Sequence, residues 1–147
     1  MVDFKKYSIP LFFFSLTAFL IFLDQLTKYL ILKLQPQINL KILTLHLVKN
    51  TGAGFGLLKN QTLALTLVSL IVVILIINLY PKIPQQKLPQ ISTAFFLAGT
   101  FGNLLDRLIR KFVVDFIDFS FWPAFNLADF FLTLGTLGLI VYFWQKK

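Results

Sequence analysis

Residues 62–80 read TLALTLVSLIVVILIINLY, without a single charged side chain. At 1.5 Å of rise per residue, a helix of this length crosses the hydrocarbon layer of a bilayer, roughly 30 Å thick. A helix also satisfies its own backbone groups there, which an open chain cannot do. The segment therefore predicts a transmembrane helix and sets the class of the chain. Outward from it, three more apolar stretches approach the same length. They are IPLFFFSLTAFLIFLDQLTKYLIL over 9–32, LPQISTAFFLAGTFGNLL over 88–105 and PAFNLADFFLTLGTLGLIVYFW over 123–144. The expected fold is an all-α membrane protein with four transmembrane helices, a single domain over residues 1–147. Composition agrees, because 57% of residues are hydrophobic and only 14% are charged, against about 25% in an average soluble chain.

The first apolar stretch follows Lys5 and Lys6, as in a signal peptide. No small-residue cleavage site follows it and the run continues, so it is expected to stay as a span. The connectors are unequal. PKIPQQK, residues 81–87, is a short Pro-rich turn, whereas residues 33–61 form a longer loop. Within that loop QINLKILTLHLV places apolar residues at 38, 40 and 42, then at 43, 45 and 47. This is strand alternation with one phase slip, as a bulge gives. A small β-rich element is expected there, on the membrane surface between the first and second helices. Four spans put both termini on one side. Lys5, Lys6, Lys82, Lys87, Lys146 and Lys147 then face Lys33, Lys41, Lys49, Lys59, Arg107, Arg110 and Lys111 across the bilayer. That near-equality leaves orientation undecided by charge.

The net charge of +8 is carried mostly by lysines that flank the spans, a pattern suited to anionic lipid headgroups. No dense basic stripe or recognition motif accompanies it, so nucleic acid is not an expected partner. The absence of cysteine excludes disulfides, thiolate nucleophiles and Cys-based metal sites. All six acids are Asp, and only Asp3 lies in an ordinary polar tail. Asp24, Asp115 and Asp129 sit near the ends of apolar runs on the long-loop side. A charge there costs less than the roughly 2.5–3.5 kcal/mol of the bilayer centre, and the carboxylates gather in one layer.

Several constellations could use that layer. Asp24 and Lys28 are spaced i,i+4 with the acid first, the favourable order, and either neutralise each other within the bundle or belong to a site. KNTGAGFGLL, residues 49–58, holds three closely spaced glycines that allow close backbone approach or simply a turn. Asn103, Asp106 and Arg107 crowd the end of the third span. Asp115 and Asp129, if within reach of each other, cannot both ionise cheaply. One then keeps a proton while the other acts as a base, which is what activating water against an amide requires. Asp118, three residues on, is the rival for Asp115. The same carboxylates would also serve an ion path through a small membrane subunit. Other nucleophiles lack support: His46 is the sole histidine, no serine lies in G-x-S-x-G, and without Glu there is no H-E-x-x-H.

Four motifs taken together resemble the lipoprotein signal peptidase (signal peptidase II) family. They are DQLTK (24–28), NTGAGFG (50–56), GTFGNLLDR followed by VVDF (99–107 and 113–116), and FNLAD (125–129). They occur in the family's order and cover most of the chain. The resemblance implies a multi-pass aspartic endopeptidase of the bacterial inner membrane. Such an enzyme cleaves diacylglyceryl-modified prolipoproteins before the lipidated cysteine, with no metal or organic cofactor. It implies Asp115 and Asp129 as the catalytic pair. Asp24, Lys28, Asn50, Gly52, Asn103, Asp106, Arg107, Asn126 and Ala128 are implied to line the site. Cytoplasmic termini, an active layer at the outer face, a monomer and contact with membrane lipids complete the expectation. The chain departs from the family pattern at Ala98, where a paired glycine is common, and at Gly54, which replaces a frequent alanine. Lys111 stands for a frequent glycine before FVVD, and the stretch between the two aspartates is short.

Overall fold

The protein is described by a computed structural model over residues 4–53, 58, 60–119 and 121–146, with side chains from Ser8 onward. Four helices form its frame: α1 (Phe4–Leu34), α2 (Thr62–Leu79), α3 (Lys87–Arg110) and α4 (Leu127–Trp144). A 3-10 turn at Tyr80–Lys82 ends α2 where Pro81 removes a backbone donor. Among the described residues three helices are long and apolar enough to cross a membrane, at Ser8–Leu34, Thr62–Lys82 and Leu127–Trp144.

The helix outside that set is α3, and its position explains why. It packs against all three other helices, most extensively against α4. Phe13 of α1 and Val73 of α2 meet Ala94, Leu97 and Leu104 on one side of it. Leu20 of α1 and Phe131 of α4 enclose Ala98 on another, so the methyl group at this departure from the family pattern fills core space. A helix wrapped by protein need not be apolar all round. Gln90, Ser92, Thr93, Thr100, Asn103 and Asp106 are all buried on it. The α3–α4 contact is close enough to demand glycine. A side chain at Gly135 would run into the backbone of Ser92 and Phe96, and one at Gly99 into the backbone of Ala128 and Leu132.

The all-α expectation needs correction, because the sheet is larger than one loop. It has four antiparallel strands in the order β1 (Ile38–Asn39), β2 (Leu43–Asn50), β3 (Val113–Phe119) and β4 (Trp122–Phe125). Half of it therefore comes from the connector after α3, and α4 begins at Leu127 rather than at 123. The phase slip at 42–43 is a hairpin turn, not a bulge. Leu40 N–H donates to Leu43 O at 2.8 Å, and Lys41 takes φ 68° while its amide bonds Asn39 Oδ1 at 2.9 Å. Both devices shift alternation by one residue, which is why the pattern does not tell them apart. The irregularity of β2 comes later, between Leu45 and Val48, just before Val48 pairs with Asp115.

Candidate active site

The site forms where the inward end of the sheet meets the ends of α1 and α3 and the start of α4. The sequence N-L-A-D explains how α4 begins. Asn126 is its N-cap, in extended conformation, and its side-chain oxygen accepts the Asp129 amide at 3.0 Å. Asp129 returns the bond by accepting Asn126 N–H at 3.2 Å. This reciprocal capping box satisfies two otherwise unpaired amides, each cap being worth about 1 kcal/mol. It also fixes Asp129 in the first helical turn, where the positive end of the helix favours a carboxylate.

Asn126 has a second task. Its Nδ2 donates to Asp115 Oδ1 at 2.6 Å and to Asn103 Oδ1 at 3.2 Å. One asparagine therefore ties the strand carboxylate to the helix carboxylate. Asp115 lies on β3, 1% exposed, and Asn50 at the end of β2 donates to its Oδ2 at 2.9 Å. Asn50 Oδ1 in turn accepts Gly52 N–H at 2.8 Å, and the Gly52 carbonyl accepts Arg107 Nη2 at 3.3 Å. Asn103 donates to Asp129 Oδ1 at 2.8 Å and accepts Lys28 Nζ at 2.9 Å. Burial, first, and the neighbouring charge of Asp129, second, push the Asp115 carboxyl up to about 7; the Asn50 and Asn126 donors and Lys28 oppose that rise.

Beneath this layer lies a buried charged cluster. Lys28 Nζ is 2.9 Å from Asp24 Oδ2 and 3.1 Å from Asp106 Oδ2, and all three side chains are wholly buried. Gln25 donates to Asp24 Oδ2 at 3.0 Å, to the Gly102 carbonyl at 3.1 Å and to Asp106 Oδ1 at 3.3 Å. Arg110 completes the cluster by donating to Gln25 Oε1 at 2.9 Å and to Asp106 Oδ1. Ala128, fully buried, contributes its amide to Asp24 Oδ1 at 2.9 Å.

The residues singled out from the sequence thus converge at one end of the fold, while Gly54 and Gly56 of the glycine-rich motif lie outside the described residues. Asp118 does not converge. In a strand, residues three apart face opposite sides, and Asp118 pairs with His46 at 3.6 Å in a half-exposed position. The candidate site residues read from the sequence do not include Gln25 and Arg110. Their signals were present: Gln25 sits inside DQLTK, and Arg110 stands i,i+4 from Asp106. A cavity of about 360 Å³ opens on this layer, lined by Asn50, Gly52, Asn103, Arg107 and Asp129, with Trp122 and Phe125 of β4 among its apolar walls. Asp129 is among its lining residues, whereas Asp115 is buried and is not.

The chain is similar to known proteins over most of its length. The family model described as Signal peptidase (SPase) II matches residues 16–145. A lipoprotein signal peptidase of Caldanaerobacter subterraneus subsp. tengcongensis is 43% identical over 136 residues, 87% of this chain and 94% of that protein. One from Moorella thermoacetica is 40% identical over 139 residues, covering 90% and 91%. A solved bacterial membrane enzyme superposes with a TM-score of 0.84 at 26% identity, covering 90% of this chain and 87% of that one. With a family model matched over nearly all its length and relatives this similar from end to end, the chain belongs to the signal peptidase II family.

Proposed function

We propose that the chain is an aspartic endopeptidase of the bacterial inner membrane. Its substrates in this reading are diacylglyceryl-modified prolipoproteins, cut just before the lipidated cysteine. The observation that carries it is the bridge through Asn126, which joins Asp115 and Asp129 beside a cavity at one end of an apolar bundle. Family membership supports the substrate class, since the relatives are named lipoprotein signal peptidases.

The chemistry follows from two carboxyls that share one proton. A water approaching through the cavity meets Asp129 first. The ionised carboxylate takes its proton as the oxygen attacks the scissile carbonyl, and the protonated carboxyl donates to the carbonyl oxygen. Which of the two starts protonated belongs to the pair. Asn50, Asn103 and Asn126 hold the carboxyl oxygens in place, and Arg107 fixes the Gly52 carbonyl at the rim. The enzyme is read as one domain, active as a monomer in contact with membrane lipids and without a cofactor. All four helices cross the bilayer, with termini in the cytoplasm and the cavity at the outer face.

The test is cleavage of a diacylglyceryl prolipoprotein by detergent-solubilised protein. Asp115→Asn and Asp129→Asn are expected to fold and to lose at least about a hundredfold in rate, while Asp118→Asn keeps its activity. Activity in both of the first two variants, or none in wild type, would overturn the aspartic peptidase reading in favour of the ion path.

A further inference from the structure

The buried cluster under the dyad has a symmetry that its own stability does not require. Asp106 Oδ2 accepts the amide of Val114 at 2.9 Å, and Asp24 Oδ1 accepts the amide of Ala128 at 2.9 Å. Val114 immediately precedes Asp115, and Ala128 immediately precedes Asp129. Lys28 then bonds both of these carboxylates at once and, through Asn103, reaches Asp129 itself. Four charged groups, Asp24, Lys28, Asp106 and Arg110, are gathered with Gln25 in the middle. Replacing such a buried ionic cluster with apolar side chains is often neutral or stabilising, so its benefit to folding is a weak reason for it. Its geometry offers a better one, because each carboxylate grips the backbone one residue upstream of a dyad member.

We propose that Asp24, Lys28 and Asp106 are positioning residues that form a clamp centred on the Lys28 ammonium. The clamp sets the separation of Asp115 and Asp129 by holding the amides of Val114 and Ala128. It ties together elements that the chain leaves far apart, the strand β3 and the helix α4, across the side of α1 and α3. Gly102 belongs to it sterically, since an added Cβ there would stand 2.5 Å from Asp24 Oδ2. The carboxylates act through backbone and never meet the substrate. Lys28 has a further effect through space, because its charge favours the ionised form of Asp115. Asp129, Asp24, Asp106, Arg107 and Arg110 are the other charges facing this region.

The clamp rests on the dyad assignment for its purpose but not for its test. Amide hydrogen exchange on the full chain without substrate reads Val114 and Ala128 directly, and remains decisive even where wild type proves not to cleave prolipoproteins. Asp106→Ala is expected to speed exchange at 113–116 and leave 126–130 protected. Asp24→Ala and Gly102→Ala are expected to do the reverse, and Lys28→Met to loosen both. In cleavage assays the alanine variants should lose about a hundredfold in kcat, the scale of a 1 Å misplacement, with KM within about twofold. Lys28→Met should also move the alkaline limb of the pH profile upward. If an alanine variant does not fold, the asparagine variant decides, since it keeps an acceptor for the amide. Val114 still protected in Asp106→Asn, with kcat largely retained, supports the clamp, and Val114 protected with kcat lost overturns it. Exchange that is unchanged in every variant, or that rises evenly along the chain, overturns it.

Discussion

At the scale of single residues, Asp115 carries the most informative chemistry because its surroundings pull in two directions. Burial and the charge of Asp129 favour the protonated form, whereas donors from Asn50 and Asn126 favour the ionised one, and the balance stands at about 7. The proposed dyad needs one shared proton, so raising the pH through 7 removes it. An alkaline limb near neutrality is therefore expected in kcat/KM. Loss of Asn50 in an Asn50→Ala variant removes a bond made to the charged form, and the limb should move to higher pH. A limb that stays in place or moves down would separate it from Asp115. The same shift has a consequence for folding. The folded chain holds this proton more tightly than an unfolded one, whose carboxyl keeps the ordinary 3.8. Stability contributed by the proton is thus full below about 4 and is lost as pH rises towards 7. These residues were legible in the sequence because Asp among Phe and Val is conspicuous. Gln25 and Arg110 were less so, because a polar side chain at a helix end looks like any solvated one until its partners are known.

At the scale of elements, the two termini of α3 and α4 decide how the carboxylates are presented. α4 is capped by the very residues of the candidate site, so N-L-A-D is both a helix start and half of the proposed dyad. α3 ends differently. Its C-cap, Lys111, adopts φ 68° in the left-handed region, where a side chain costs about 1 kcal/mol that glycine does not. The Lys111 ammonium offsets part of this by donating to Leu108 O at 3.0 Å. Lys111→Gly is expected to stabilise the protein by up to about 1 kcal/mol, seen as a higher midpoint of thermal unfolding in detergent, with cleavage retained. A lower midpoint would mean that the Lys111 bond outweighs the backbone strain. The strands that follow were the least legible part of the fold. VVDFIDF is apolar on both faces, and its aspartates are three apart, a helical spacing, so strand alternation is hidden. Its β-branched and aromatic content was the available signal. What makes it a strand is pairing with β2, a long-range event that no local pattern announces.

At the scale of the whole molecule, α3 poses a question of hydropathy against packing. Its 24 residues include buried Gln, Ser, Thr, Asn and Asp, too polar for a lipid-facing span, and α2 by contrast is recognisable at a glance because lipid-facing side chains must be apolar. Yet the contacts fix the direction of α3. Its beginning lies with the start of α1 and the end of α4, since Gln90 shares a cavity with Ser8 and Phe12, and Leu88 approaches Gly138. Its end lies with Lys28 of α1 and Ala128 of α4, through Asn103 and Gly102. If α1 crosses the membrane, a helix running alongside it between the same two ends crosses as well, and its polar side chains are tolerated because α1, α2 and α4 enclose them. The chain lacks cysteine, which makes single-cysteine labelling clean. Lys41→Cys and Lys111→Cys are expected to react with a membrane-impermeant maleimide added outside intact cells, while Gln85→Cys and Lys146→Cys react only after permeabilisation. Positions 85 and 111 flank α3, so their labelling on opposite sides establishes the fourth crossing. Labelling of both from the same side would leave three crossings, part the two termini, and remove the bilayer from around a helix that packs against all three others.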